Sequence, residues 1–336
     1  MNDVLIKLSD APGVSGGEHL IADFLVGEMY PYCDRILIDG MGNLYGYRYG
    51  TQKNGKTIAL CSHMDEVGLI ISAITEDGYL KFKCVGGIDE RVLLAKRVRI
   101  GKDQILGVTG VKAVHLIPSD QRKNTVDYDQ MYIDIGATSK KEAEAMVQIG
   151  DLATFDTRAG GLGSLFKGKA LDDRAGCYLM LELMKNQYPD TVCYCFTVQE
   201  ETGLRGAAVA SRKIGADACI VLENTTCLDL PGVAEEKKST QIGSGPAITI
   251  VDRAAYGNKE LRKGLENCGI KFQYKNVAAG GNDAGAIHLN NVKTAAVSIP
   301  CRYLHSPAGV ISLEDLENSR KLLDEFLKNR AKRVQL

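Results

Sequence analysis

The sequence predicts an α/β fold with a small β-rich domain inserted into it. Up to about residue 65, and again beyond about residue 165, apolar strand-like runs alternate with amphipathic helices, which is typical of a sheet covered by helices. Between about residues 67 and 159 the pattern changes to short β runs separated by turn signals such as Asp77-Gly78. The sequence therefore predicts a discontinuous α/β domain, residues 1–66 and 162–336, and an inserted β-rich domain, residues 67–161.

The elements follow in order along the chain. Ser15 and Glu18 in SGGE fit a capping box before the helical run HLIADFLVGEM. The inserted segment contains the β runs LIISAI, YLKFKCV, RVRI, ILGVTGV and MYIDIG, and one helical stretch at 139–147. Next, DDRAGCYLMLELMKNQY opens with aspartates that suit the positive end of a helix. The last helix, 312–333, is expected to close the fold, because its leucines recur near a 3.6-residue period: Leu313, Leu316, Leu322, Leu323 and Leu327.

Composition limits the classes of function. The 336 residues are 45% hydrophobic, which is enough for a large core. Lys and Arg (41) nearly balance Asp and Glu (42), so we expect no nucleic-acid or membrane partner. The N-terminal run is unlike a signal peptide, and no run approaches the roughly 18 apolar residues of a membrane span, so we expect a cytoplasmic protein. Ten scattered cysteines without a CxxC motif are expected to be reduced and mostly buried.

Polar side chains follow the ends of four apolar runs. The runs TIALC, TVCYCFTV, ACIVL and TAAVSI are followed, in that order, by His63 and Asp65, by Glu200 and Glu201, by Glu223, and by His305. Asp172 and Asp173, at the start of a helix, can face the same cleft. Ligands bind at the carboxyl edge of the strands in open α/β sheets, so these side chains are expected to converge on one site.

Each of these residues alone has an ordinary structural explanation. Single carboxylates at strand ends are mostly solvated turn residues or helix caps. The other histidines, His19, His115 and His288, are interpreted as structural residues without a catalytic or metal-binding role. The whole set is different, because like charges raise one another's pKa and resist burial unless cations are present. Imidazole nitrogen and carboxylate oxygen suit zinc, and also cobalt or manganese. Two histidines and three carboxylates therefore predict a two-metal site with one bridging carboxylate.

The adjacent Glu200 and Glu201 are predicted to have different roles. Consecutive residues leaving a strand point in different directions, so one can bind a metal while the other stays free beside the attacking water. A free carboxylate can take the proton of that water as it attacks a carbonyl, and pass the proton to the leaving amine. Asp65 is counted with the catalytic residues because it can accept the second ring N–H of His63 and so orient that imidazole.

Five motifs resemble those of the M42 family of metallo-aminopeptidases, also called glutamyl or tetrahedral aminopeptidases. They occur in order along nearly the whole chain: SHMDEVG (62–68), ALDDRAG (170–176), VQEETGLRGA (198–207), GGNDAGAIH (280–288) and IPCRYLHSP (299–307). The resemblance implies a mixed-sheet metallopeptidase, or phosphorylase/hydrolase-like, catalytic domain with an inserted β-barrel-like dimerisation domain. It further implies dimers that can assemble into a hollow tetrahedral dodecamer.

The resemblance also implies a dinuclear site, with zinc the most suitable metal and cobalt or manganese as alternatives. The implied roles are Asp172 as the bridge, His63 and Glu223 on one ion, Glu201 and His305 on the other, and Glu200 as the general base. Many relatives carry Asp where this chain has Glu223, and the longer side chain can alter metal spacing or preference.

The expected activity is removal of single N-terminal residues from short peptides. One alternative is a glycoside hydrolase, a label some family members have carried, although glycosidases usually use two carboxylates and no metal. Another is a non-catalytic metal-binding scaffold, which is expected to lack a ligand or the base. Arg302, near His305, could attract acidic residues, but a loop arginine is more often a structural ion-pair partner.

Overall fold

The fold was analysed in a computed structural model that describes residues 3–120, 122–275 and 280–336. In these ranges the strands are β1 (Arg35–Ile38), β2 (Leu44–Arg48), β3 (Thr57–His63), β4 (Gly68–Ile74), β5 (Leu80–Val85), β6 (Arg97–Ile100), β7 (Ile105–Gly110), β8 (Tyr132–Asp134), β9 (Leu152–Phe155), β10 (Gly160–Leu162), β11 (Leu165–Gly168), β12 (Thr191–Thr197), β13 (Ala218–Thr226), β14 (Ala247–Thr249), β15 (Gln273–Lys275), β16 (Lys293–Arg302) and β17 (Gly309–Ser312). The α-helices are α1 (Asp3–Asp10), α2 (His19–Met29), α3 (Lys140–Glu144), α4 (Leu171–Leu183), α5 (Arg205–Ala210), α6 (Lys259–Glu266), α7 (Ala284–Ile287) and α8 (Leu313–Arg333).

A large mixed sheet forms the frame of the molecule. Its strand order is β1-β2-β12-β3-β13-β16-β17-β11-β10, and β14 and β15 extend it beside β16. The four central strands β12, β3, β13 and β16 are mutually parallel, whereas the flanking pairs are antiparallel. β3 and β12 are buried along almost their whole length, as expected for parallel strands covered on both faces. The predicted α/β class with a mixed sheet is confirmed.

Side chains that alternate along the central strands build two cores. Ile58 and Leu60 of β3 pack with α1, α2, α4, α6 and α8, whereas Ala59 and Cys61 pack with α5 and α7 on the opposite face. This period of two is the normal geometry of a strand. The hydroxyl of Ser312 accepts hydrogen bonds from backbone N–H groups in the first turn of α8 and so caps it. As expected, α8 packs against the core through four of its predicted leucines, but Leu313 is 38% exposed.

The segment between β3 and β10 forms a separate closed barrel. Its antiparallel strands follow the order β4-β5-β8-β7-β6-β9, and all of them lie between Gly68 and Phe155. The barrel has its own apolar core, which includes Leu69, Phe82 and Val98. The closed barrel agrees with the β-barrel-like fold implied by the family resemblance.

A buried carboxylate holds the barrel against the sheet just beyond the end of β3. The side chain of Glu66 accepts hydrogen bonds from the Thr154 hydroxyl of β9 at 3.0 Å and from the Gly13 backbone N–H at 3.0 Å. It also pairs with the ammonium group of Lys169 at 2.8 Å. Because Glu66 follows the β3 end directly, this network fixes the barrel beside the edge of the sheet where the candidate site lies.

Two smaller expectations concern the cysteines and the start of α2. All ten cysteines are free thiols, and eight of them are buried, as expected. The expected capping box is wrong, since the hydroxyl of Ser15 donates to Asp65 at 2.6 Å rather than capping α2. Glu18 accepts the backbone N–H groups of Gly16 and Gln199, so these side chains build the site instead of the helix end.

No helix in the described ranges is long and apolar enough to cross a bilayer.

Candidate metal centre

Adjacent parallel strands bring the predicted side chains to one edge of the sheet. His63 is the last residue of β3 and is paired in register with Thr197, the last residue of β12. Glu200 and Glu201 follow β12 directly, and His305 lies just beyond the end of β16. The carboxyl ends of parallel strands meet at one edge, which explains how residues so distant in sequence come together.

Glu223 lies inside a strand, which corrects the expectation that the strand ends before it. The strand β13 continues to Thr226 because its parallel pairing with β16 persists as far as Thr226 and Cys301. Glu223 is therefore held on rigid backbone, with 7% of its surface exposed. The sequence does not indicate that the strand continues beyond the apolar run ACIVL. The residues that follow are polar, and polar residues inside a buried strand break the hydrophobic pattern by which strands are recognised.

Asp172 lies between two histidines. Its Oδ1 is 3.3 Å from Nε2 of His63, and its Oδ2 is 3.3 Å from Nε2 of His305. The residue occupies an irregular start of α4, where Asp172 and Asp173 have non-helical dihedral angles and are joined by a cis peptide bond. Each carboxylate oxygen therefore faces a different imidazole.

Glu201 completes a compact group of donor atoms. Its Oε2 is 3.2 Å from Nε2 of His305. One donor atom each from His63, Asp172 and Glu201 all lie within 4.8 Å of one another. Imidazole nitrogen and carboxylate oxygen at this spacing form a donor set that suits zinc and similar divalent ions.

Burial and mutual charge shift the pKa values of these groups. Although burial raises the pKa of Asp172, its hydrogen bonds to His305 and His63 hold it well below the usual range. Burial lowers the pKa of His305, but the hydrogen bond to Asp172 and the charge of Glu201 raise it to about 9. Burial raises the pKa of Glu201 to about 8, against the opposing charge of His305. Without a bound cation, the group therefore depends on the imidazoles for positive charge.

Glu200 and Glu223 line a pocket of about 400 Å³ that also contains Asp172 and His305. Burial, reinforced by Asp172 and Asp65 and opposed by His63, raises the pKa of Glu200 to about 7. Burial and the charges of Glu200 and Asp172 raise the pKa of Glu223 well above its usual value. Several carboxyl groups therefore share one desolvated volume, which is the situation that bound cations relieve.

Asp65 connects the ends of β3 and β12. Its Oδ1 is 3.4 Å from Nδ1 of His63, and its backbone oxygen is 3.2 Å from the same nitrogen. The carboxylate also accepts the backbone N–H groups of Glu200 at 3.0 Å and Glu201 at 3.2 Å. Asp65 thus orients one histidine, as expected, and in addition fixes the backbone of both glutamates.

Sequence reasoning missed Asp283 and Lys275, two buried ionisable residues near this edge, and gave Asp173 no role beyond facing the cleft. Asp173 accepts the hydroxyl of Ser62 at 2.5 Å and the backbone N–H of Gly176 at 3.0 Å, and it thereby holds the start of α4. Asp283 accepts the hydroxyl of Thr197. Lys275 lines the pocket with Glu200. The motifs around the two aspartates were visible in the sequence, whereas Lys275 carried no motif signal.

Arg302 is a structural ion-pair partner. Its Nε and Nη2 donate to the two carboxylate oxygens of Asp229 at 2.9 and 2.6 Å. This bidentate pairing satisfies the guanidinium group. The structure thus agrees with the expectation that Arg302 is a structural ion-pair partner. Its pairing with Asp229 leaves little of its charge for a substrate.

The likeness to known proteins extends over nearly the whole chain. The family model of M42 glutamyl aminopeptidases matches residues 42–322. A putative aminopeptidase of Acetivibrio thermocellus is 37% identical over 97% of this chain and 98% of its own length. This chain is thus similar to the relative from end to end.

Solved structures of archaeal proteins have the same fold. A TET aminopeptidase from the marine sediment archaeon Thaumarchaeota archaeon SCGC AB-539-E09 is 34% identical with a TM-score of 0.93, covering 97% of this chain and 95% of that one. The TET1 peptidase of Pyrococcus horikoshii, which can assemble into a tetrahedron or a large octahedral shell, is 32% identical with a TM-score of 0.86, covering 97% of this chain and 98% of that one. The family model, the sequence similarity over nearly the whole length of both chains and the shared fold all lead to the same conclusion. This chain belongs to the M42 glutamyl aminopeptidase family of peptidases.

Proposed function

We propose that this protein is a dinuclear metal-dependent aminopeptidase that removes single N-terminal residues from short peptides. The observation that carries the proposal is the position of Asp172, whose two carboxylate oxygens face His63 and His305 separately at 3.3 Å. A carboxylate placed in this way can bridge two cations. The family supplies the class of reaction, and the site supplies the residues that would perform it.

Five side chains would hold the two ions. Asp172 would bridge them, His63 and Glu223 would bind one, and Glu201 and His305 would bind the other. This donor set suits zinc best and also accommodates cobalt or manganese. Bound in this site, the two ions would polarise the scissile carbonyl and lower the pKa of water to about 7, as divalent ions do in hydrolases.

Glu200 would act as the general base and then as the general acid. Its carboxyl group lines the pocket beside Glu223 and His305. It can take a proton from the water that attacks the carbonyl and return that proton to the leaving amine.

Asp65 would act through other residues. It holds Nδ1 of His63, so Nε2 of that ring is directed toward Asp172. Its carboxylate also accepts the N–H groups of Glu200 and Glu201, which fixes the backbone from which those side chains extend. Asp65 is therefore a positioning residue for the proposed base and for two of the proposed ligands.

Self-association is part of the proposed function. We infer that the barrel mediates dimers and that dimers assemble into a tetrahedral dodecamer, since the similar TET1 peptidase of Pyrococcus horikoshii can assemble into a tetrahedron or a large octahedral shell. A hollow assembly would admit short or unfolded peptides and exclude folded proteins. The free cysteines favour a cytoplasmic location.

The alternative functions receive less support. Membership in a peptidase family weighs against a glycoside hydrolase. A non-catalytic scaffold would be expected to lack a ligand or the base, and this chain retains all six side chains: His63, Asp172, Glu200, Glu201, Glu223 and His305.

Substrates with a free and a blocked N-terminus test the activity. We expect aminoacyl p-nitroanilides to be cleaved and their N-acetylated forms to be resistant, because an aminopeptidase requires a free α-amine. Chelator should abolish cleavage, and zinc, cobalt or manganese should restore it. Release of p-nitroaniline measures both effects. Equal cleavage of the acetylated substrate, or chelator-insensitive release of reducing sugar from a glucan, would contradict the proposal.

A further inference from the structure

A buried lysine lies in the wall of the proposed catalytic pocket. Lys275 is the last residue of β15, and 9% of its surface is exposed. It lines the pocket of about 400 Å³ together with Glu200, Glu223 and His305. A pocket of this volume is large enough for a small ligand. Lys275 is thus a positive charge beside the groups proposed to carry out the reaction.

The ammonium group of Lys275 has no hydrogen-bond or ion-pair partner in the parts of the chain that the structure describes. Two other buried cations are paired: Lys169 with Glu66 at 2.8 Å and Arg330 with Asp190 at 2.6 Å. Most of the Lys275 side chain is removed from water while its ammonium group keeps contact with solvent, so a ligand that fills the pocket would desolvate this charge. An anion that arrives with a ligand would give Lys275 the partner it lacks.

The surroundings of Lys275 favour a carboxylate. Its positive charge acts on Glu223 without forming an ion pair with it. In the proposed function Glu223 binds a cation, which would leave the lysine charge uncompensated. Thr225, Thr226 and Ser239 line the same pocket, and their hydroxyl groups can donate to a carboxylate oxygen.

We propose that Lys275 binds a carboxylate of the peptide substrate and thereby sets the preference of the enzyme among peptides. This inference rests on the proposed aminopeptidase function. The carboxylate has two sources, namely the side chain of an N-terminal Glu or Asp, or the C-terminus of a very short peptide. Either would form a charge-assisted hydrogen bond with the ammonium group. Arg302 is not available for this role because Asp229 occupies its guanidinium group.

Two pairs of substrates test the wild-type protein. Glutamyl and glutaminyl p-nitroanilides have nearly the same shape and differ in charge, and they test the side-chain source. A dipeptide and its C-terminal amide test the other source. In one of the two arms we expect kcat/KM to be about 10- to 100-fold higher for the charged substrate, as one hydrogen bond to a charged group provides.

The Lys275→Met variant removes the charge and keeps the length of the side chain. We expect it to lose that preference, because the neutral side chain cannot pair with a carboxylate. Lys271→Met is the matched control, because it makes the same change in net charge at an exposed lysine whose ammonium donates to the Gly243 carbonyl at 2.8 Å. The control should keep the wild-type preference.

The outcomes separate this inference from the proposed function. Loss of preference in the Lys275→Met variant supports the inference, and the arm in which it occurs identifies the source of the carboxylate. The inference is overturned if the wild type does not discriminate in either arm, a comparison that requires no variant, or if Lys275→Met retains the preference. If no substrate with a free α-amine is cleaved, leucyl p-nitroanilide included, the proposed function itself fails.

Discussion

Replacing Glu200 with glutamine is expected to lower kcat by about 10²–10⁴-fold, the usual contribution of a general base, without loss of bound metal. Glutamine keeps the size of the side chain but cannot take a proton from water. The backbone of residue 200 is fixed by the hydrogen bond of its N–H to Asp65, which the substitution leaves in place. The change should therefore remove proton transfer and preserve the geometry of the pocket.

Steady-state cleavage of a leucyl p-nitroanilide, together with metal content by plasma mass spectrometry, measures the two effects. Glu201→Gln is the matched comparison, because it makes the same chemical change at the adjacent residue. It should reduce the metal content, since Glu201 lies in the compact donor group with His63 and Asp172. A Glu200→Gln variant that keeps more than about a tenth of the wild-type kcat would show that another group transfers the proton.

Replacing Asp172 with asparagine is expected to remove both metal ions and, with them, activity. Asparagine has no charge and offers one oxygen, so its amide nitrogen would face one of the two histidines in place of a carboxylate oxygen. Substitution of a residue that only orients a metal ligand lowers metal affinity or activity by about 10–100-fold. Substitution of a ligand shared by both ions should lower them further. Metal content and kcat/KM of the purified variant measure the loss.

Asp103→Asn provides the control, because Asp103 is exposed in the barrel domain and its change alters net charge equally. It should retain the metal and the activity of the wild type. Loss of one ion only in Asp172→Asn, with the second bound at normal affinity, would mean that the carboxylate serves a single ion. Thermal unfolding of both variants distinguishes loss of ligands from loss of fold.

The position of the candidate site at the carboxyl edge of the sheet could be predicted, because the residues that indicate it are neighbours in sequence. The apolar runs before His63 and Glu200 give way directly to polar residues, and the run before His305 ends at Pro300. Parallel pairing of β12 with β3, of β3 with β13 and of β13 with β16 then places those ends side by side. Alternation of apolar residues with turn signals similarly indicated the short strands of the barrel.

Features that depend on distant contacts could not be predicted. The length of β13 around Glu223 follows from its pairing with β16, about seventy positions later in the chain. Ser15 matches a capping box in sequence but donates to Asp65, since tertiary contacts override a local preference. Lys275 lies on a three-residue edge strand, and nothing in its neighbours along the chain indicates that it is buried beside the pocket.

Anomalous diffraction from crystals of the wild-type protein grown with zinc tests the central claim directly. The account predicts two zinc peaks, one beside each carboxylate oxygen of Asp172, with His63 and His305 on different ions. A single peak, or two peaks that do not share Asp172, would contradict it.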